Sequence, residues 1–269
     1  MTQDVRPLYI RSEWKKNCVF QPLNEAELFQ LIEQKMSLAK DEKPVLLLDL
    51  DSTLYEVAPR THAIILDWTK TAHPFSKEIV QKLSQIEHTR VGYSLRDTFE
   101  NMGLDLNQPD VIKAWEDLKT FWTARFFTNE YLSYDKPYPG AVHFAQKAHD
   151  LGVFLVYLTG REETPMIAGT IKNLERDGFP WNTGRTSLLM RPSHIASDLE
   201  HKTLAIEKVK QTGTLVASFE NEPQNLVALF KAFPEGLHVL MDTVSSDHPA
   251  EAVEGLYLIK GFTHYHKIS

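Results

Sequence analysis

Short apolar runs that recur between helical segments constrain this chain most. After residue 140 it reads VFLVYLT (153–159), TSLLM (186–190), TLVASF (214–219), LHVLM (237–241) and LYLI (256–259). Between them lie PMIAGTIKNLERDG (165–178), ASDLEHKTLAIEKVK (196–210) and EPQNLVALFKAF (222–233), which have helical character. A strand that is apolar almost throughout must be buried on both faces. That condition is met in a parallel sheet covered by helices on either side. An earlier run, VLLLD (45–49), is of the same kind and follows Lys43-Pro44, a break in the chain. The expected fold class is therefore α/β, a doubly wound parallel sheet with residues 45–49 as its opening strand.

Between that strand and the rest lies a mostly helical stretch, residues 55–136. Ile79, Val80, Leu83 and Ile86 keep helical spacing, as do Val111, Trp115, Leu118 and Trp122. Trp115, Phe121, Trp122, Phe126 and Phe127 read first as core packing, with a pocket lining as the sharper alternative. The stretch is an insertion, because PYPGAVHFAQKAHDLG (137–152) re-enters the α/β pattern with Pro139-Gly140 opening a helix and Gly152 ending it. Upstream, NEAELFQLIEQKMSLAK (24–40) reads as a helix with Asn24 and Glu27 as a capping box. Residues 1–44 are expected to be a helical extension packed on the core, without a functional assignment.

The chain has 269 residues, 42% apolar and 24% charged, with a formal net charge of −7. This length can bury a sizeable core. The negative balance argues against binding to a nucleic-acid backbone, although a local basic patch would escape the sum. Cys18 is the single cysteine, so no intrachain disulfide or cysteine metal cage can form, which fits a reducing compartment. The N-terminal sequence has no apolar signal region, and no apolar run approaches a membrane span. A cytoplasmic protein with no membrane partner is expected. Oligomeric state stays open.

In doubly wound sheets ligands bind beyond the carboxyl ends of the strands. The polar residues expected there are Asp49 and Asp51, then Thr159, Gly160 and Arg161, then Glu220, Asn221 and Glu222, with Lys202 on the preceding helix. Two carboxylates as close as Asp49 and Asp51 repel, unless solvent or a cation offsets the cost. An oxygen-only carboxylate cluster selects Mg²⁺, which keeps several waters and takes few protein ligands. Such a set suits phosphate chemistry: a carboxylate attacks phosphorus, while metal, lysine and hydroxyl stabilise the equatorial oxygens. The chain has no Gly-rich Walker loop.

These residues resemble the haloacid dehalogenase (HAD) superfamily. DLDST, with Asp49, Asp51 and Thr53, looks like its first motif; VFLVYLTG, with Thr159, its second; Lys202 its third; FENEPQN (219–225) its fourth. The order and spacing agree over residues 45–225. The resemblance implies a Rossmann-like core of residues 45–54 and 137–269, and a helical cap of the C1 type at 55–136. It implies Asp49 as nucleophile and Asp51 as general acid and then base, with its backbone carbonyl on the metal. It also implies Thr159, Gly160 and Lys202 as phosphate-binding groups. The dehalogenases of the family lack the second acid, so Asp51 implies phosphate transfer: a Mg²⁺-dependent phosphatase acting on a small phosphorylated metabolite.

The fourth motif departs from the family pattern. In the register that aligns Pro223 and Asn225, Glu220 takes the first acidic place and Asn221 the second. The metal set is then Asp49, Asp51, Glu220 and Asn221, with one charge fewer and a weaker site. Three alternatives stay open: a catalytically impaired binding or regulatory protein, a phosphomutase, and a nucleotide-end phosphatase. Local readings also compete. Asp49 and Asp51 could be a solvated strand end. Thr159 could cap a turn, and Arg161 could face solvent. Lys202 could be a surface partner of Asp198, with Lys208 and Lys210 as its rivals. Arg191 is structural or close to substrate. Asp242 and Asp247 read as part of a capped surface loop. His264 and His266 read as an exposed tail.

Overall fold

A computed structural model describes residues 7–23, 27–39, 42–71, 74–75, 77–192 and 197–263, the side chains of 198 and 199 excepted. The Asn24 cap, the Asp198 pairing and the histidines at 264 and 266 lie outside what is described. The chain divides into two compact units. The first is Met1–Tyr55, Pro137–Gly160 and Leu174–Ser269, and the second is Glu56–Lys136 and Arg161–Asn173.

The first unit is built on a seven-stranded sheet. Its strands are β1 (Val19–Phe20), β2 (Pro44–Asp49), β3 (Phe154–Glu162), β4 (Thr186–Arg191), β5 (Thr214–Glu220), β6 (Leu237–Met241) and β7 (Glu254–Ile259). Their order is β1-β7-β6-β5-β2-β3-β4. The pairs β1–β7, β7–β6, β6–β5, β5–β2 and β2–β3 are parallel. The α/β parallel sheet read from the apolar runs is therefore present. The N-terminal region, expected to be helical, also supplies the edge strand β1. The apolar run of β3 stops at Thr159, yet the strand continues to Glu162; polar residues can stay extended when their side chains find partners.

Alternation along β2 explains why the strand is apolar throughout. Leu46 and Leu48 belong to one core cluster, with Phe144 and Ala148 of helix Ala141–Asp150 and Leu28, Phe29 and Ile32 of helix Leu28–Leu38. Val45 and Leu47 belong to another, with Ala205, Ile206 and Val209 of helix Asp198–Thr212 and Leu229 of helix Pro223–Ala232. Each residue step along a strand reverses the face, so both faces require apolar side chains. Gly140 caps its helix at φ 81° and Gly152 follows that helix at φ 95°, left-handed conformations that glycine adopts without a Cβ clash.

The second unit is helical, with helices Ala58–Thr69, Lys77–Ser84, Leu95–Asn101 and Pro109–Phe126. Ile65, Trp68, Leu83, Phe99, Val111 and Leu118 share its core, and Trp68 Nε1 donates to Asp117 Oδ2 at 2.7 Å. Ser94 and Asp97 form a reciprocal capping box. Arg60, Asp135 and Arg161 are buried together. Arg60 Nε donates to Asp135 Oδ1 at 2.8 Å, and Arg161 Nη2 to Asp135 Oδ2 at 2.9 Å. Arg161 is thus not a solvent-facing residue. Trp122 and Phe126 stack with ring centroids 4.2 Å apart.

Candidate active site

The strand order brings the motif residues together. The chain moves outward from β2 to β3 and β4, then returns to the other side of β2 as β5, so β2 lies at the switch point where ligands bind. Asp49 is in register with Leu158 on one side, and Leu48 with Phe219 on the other. Asp49, Thr159 and Glu220 therefore stand at the ends of three adjacent strands.

Beyond Asp49 the chain makes a tight turn. The Leu50 carbonyl accepts from the amides of Leu54 at 2.9 Å and Tyr55 at 2.8 Å. Ser52 carries the turn at φ 64°, a conformation uncommon outside glycine that must be held by its surroundings. The turn directs Asp51 back toward the sheet, where Thr159 Oγ1 donates to Asp51 Oδ2 at 3.2 Å.

Lys202 completes the cluster. Ser197 caps its helix by accepting from the Glu200 amide at 3.1 Å, and Lys202 lies in the second turn. Its Nζ donates to Asp49 Oδ1 and, at 2.8 Å, to Glu220 Oε2. Lys202 is 1% exposed, which excludes the surface reading. A lysine this buried requires paired anions, and it has two.

The acidic run after β5 is fully engaged. Glu220 Oε1 accepts from the amides of Asn221 and Glu222, both at 3.1 Å. Asn221 Oδ1 accepts from Thr53 Oγ1 at 3.1 Å, and its Nδ2 donates to the Val244 carbonyl at 2.7 Å. Glu222 accepts from the Ser246 amide at 2.9 Å and from Ser246 Oγ at 2.6 Å. Asp242 accepts from Lys15 Nζ at 2.6 Å and from Arg11 Nη2 at 3.2 Å. Burial raises the Asp242 pKa, but Lys15 and Arg11 outweigh it and hold the carboxyl below its ordinary range.

The donor chemistry can be set against Mg²⁺. Both Glu220 oxygens are occupied by N–H donors from Lys202, Asn221 and Glu222. Among the described residues no three His, Cys, Asp or Glu side chains form a metal-holding group. The hard-oxygen groups gathered here are the Asp49 and Glu220 carboxylates, the Asp51 backbone carbonyl and Asn221 Oδ1, whose Thr53 bond uses one of two lone pairs. This set fits a cation that takes few protein ligands and keeps its water.

Of the remaining expected residues, Gly160 gives its carbonyl to Arg191 Nε at 3.0 Å, so Arg191 braces the end of β3. Arg11, Thr243 and Ser246 were not identifiable from the sequence. They lie up to 234 residues from the groups they touch, and no spacing rule links them.

Residues 111–220 match the family model described as HAD superfamily, subfamily IIIB (Acid phosphatase). That interval contains Thr159, Lys202 and Glu220 and begins after Asp49 and Asp51. No curated protein matches the sequence. Among solved structures, the class C acid phosphatase from Bacillus anthracis with tungstate bound is 21% identical, with a TM-score of 0.39. That match covers 73% of this chain and 62% of the other, so the chain spans less than two thirds of that protein's length. A HAD-superfamily hydrolase from Ehrlichia chaffeensis is 11% identical, with a TM-score of 0.46, covering 83% of this chain and 93% of the other. A hydrolase from Streptococcus pneumoniae is 12% identical at a TM-score of 0.41, covering 71% and 89%. Over residues 111–220 the chain is therefore similar to the acid phosphatases of the haloacid dehalogenase superfamily, and its parallel α/β core agrees with that similarity.

Proposed function

We propose that the protein is a Mg²⁺-dependent phosphatase that hydrolyses a small phosphorylated metabolite through a phosphoaspartyl intermediate on Asp49. One observation carries the reading: Lys202 bridges Asp49 and Glu220 beside an Asp51 held by Thr159. Lys202 engages Asp49 Oδ1, and the second oxygen attacks phosphorus as the ester P–O bond breaks. Asp51 gives its proton to the departing alkoxide. In the second half, Asp51 takes a proton from water as the water oxygen attacks phosphorus. The bond to Asp49 breaks, and inorganic phosphate leaves. Thr159 orients Asp51 in the resting site and donates to phosphoryl oxygens in the complex. Asp49, Asn221 and the Asp51 carbonyl would hold Mg²⁺, which when bound would offset the negative charge of carboxylates and phosphate.

The helical unit Glu56–Lys136 is assigned the choice of substrate, as the cap of the family. The composition supports a cytoplasmic location, and no helix among the described residues is long and apolar enough to cross a membrane.

The test is phosphate release from p-nitrophenyl phosphate and a metabolite panel, with and without Mg²⁺, with Asp49→Asn as the blank. Turnover that needs Asp49 is expected, together with a beryllofluoride adduct at Asp49 seen by fluorine NMR. A second reading, an impaired scaffold that binds without turnover, is favoured by Asn221 at the second acidic place. It would replace the first if no phosphoester is hydrolysed and wild type equals the blank.

A further inference from the structure

We infer that Arg11, on the N-terminal helix Arg11–Asn17, is a positioning residue for the active site. This rests on the phosphoryl-transfer reading above. Its guanidinium donates to the Asn221 carbonyl at 2.8 Å, the Thr243 carbonyl at 2.9 Å, Asp242 Oδ1 at 3.2 Å, and Ser245 Oγ. Three of these acceptors belong to one loop, residues 242–246, which follows β6. The fourth is the backbone of the residue that replaces the second acid of the fourth motif.

The loop reaches the active site at three points. Thr243 Oγ1 donates to the carbonyl of Ser52, the left-handed residue between Asp51 and Thr53. The Val244 carbonyl accepts from the Asn221 side chain at 2.7 Å. Ser246 binds the Glu222 carboxylate. Arg11 thus fixes the loop, and the loop fixes both the turn that aims Asp51 and the amide that faces Thr53. A rigid five-donor fork can hold four acceptors in one geometry, whereas an ammonium cannot. Lys15 touches the same loop only at Asp242, so it can anchor the helix without setting the loop's shape. A plain staple for the N-terminal segment would need no contact with Asn221.

The experiment compares Arg11→Met, Arg11→Lys, Lys15→Met and Thr243→Val with wild type. Kinetics on p-nitrophenyl phosphate are paired with NMR of the Asn221 side-chain amide, assigned by its loss in Asn221→Asp. Arg11→Met should lower kcat roughly tenfold or more while KM stays within about twofold, since small misplacements cost catalysis more than binding. Its Asn221 amide signals should move toward the positions of solvated amides. Arg11→Lys should recover little, and Lys15→Met should leave kcat and the amide unchanged.

Unchanged kcat and unchanged amide signals in folded Arg11→Met would overturn the inference. If that variant fails to fold, Thr243→Val decides, because it removes only the contact with Ser52. Wild-type kcat in that variant would overturn the inference equally. A wild type without turnover would sink the phosphatase reading, while the amide signals would still report whether Arg11 sets Asn221.

Discussion

Lys202 Nζ lies 2.8 Å from Glu220 Oε2, with Lys202 1% exposed and Glu220 fully buried. The same ammonium holds Asp49. Glu220 therefore anchors the lysine side chain through one oxygen, and its other oxygen is held by two backbone amides.

Lys202→Met leaves two buried carboxylates facing each other. Removing one partner of a buried ion pair costs about 3–5 kcal/mol, so a large loss in urea stability and loss of phosphate release are expected together. Adding Glu220→Gln should restore part of the stability and none of the turnover. A double-mutant cycle of urea midpoints would show the coupling. Independent, additive effects would contradict the bridging role.

Asn221→Asp changes two things in opposite directions. The added charge should tighten Mg²⁺ roughly tenfold, about 1.4 kcal/mol, by calorimetry. It also removes the donor to the Val244 carbonyl, which should cost about 1–3 kcal/mol of stability without metal. Unchanged metal affinity would show that this side chain is not a ligand.

His238 gives a pH prediction outside the site. It is buried, with Nε2 2.7 Å from the Phe233 carbonyl and Nδ1 2.7 Å from Ser218 Oγ. A carbonyl can only accept, so Nε2 carries the proton and Nδ1 accepts from the hydroxyl. Burial drives its pKa down to about 4, with the nearby Lys35 charge acting the same way against the raising effect of Phe233. The unfolded chain then binds this proton more readily than the folded one. Stability is full above the unfolded pKa near 6.5 and falls as pH drops toward 4. The loss at full extent is about 3 kcal/mol. Urea titrations across this range should be less pH-dependent in His238→Gln than in wild type.

In the helical unit, Asp135→Asn should be severe. The carboxylate pairs with Arg60 and Arg161, both buried. Leaving two guanidiniums without their anion should cost about 3–5 kcal/mol. Pulse proteolysis would detect it as early cleavage within residues 56–136.

The parallel sheet was legible because burial on both faces forces the apolar runs that alternation along β2 then satisfies. The polar strand ends were legible because Asp49, Thr159 and Glu220 each terminate such a run, and parallel strands bring like ends to one edge. Lys202 was ambiguous, since its sequence neighbours fit a surface pair equally well. Its burial between Asp49 and Glu220 depends on the packing of its helix on β5, not on local spacing.

The sheet, the insertion and the carboxylates at the strand ends follow from the amino-acid order alone, because each is written in hydrophobic periodicity over a few residues. Which partners those carboxylates take is set by the folded arrangement. It committed Glu220 to Lys202, turned the Asn221 amide toward Thr53 and Val244, and brought Arg11 against Asn221, Asp242, Thr243 and Ser245. Those choices rest on hydrogen bonds between residues far apart in the chain. A buried polar group takes whichever partner the fold brings near it, and local sequence does not encode that partner.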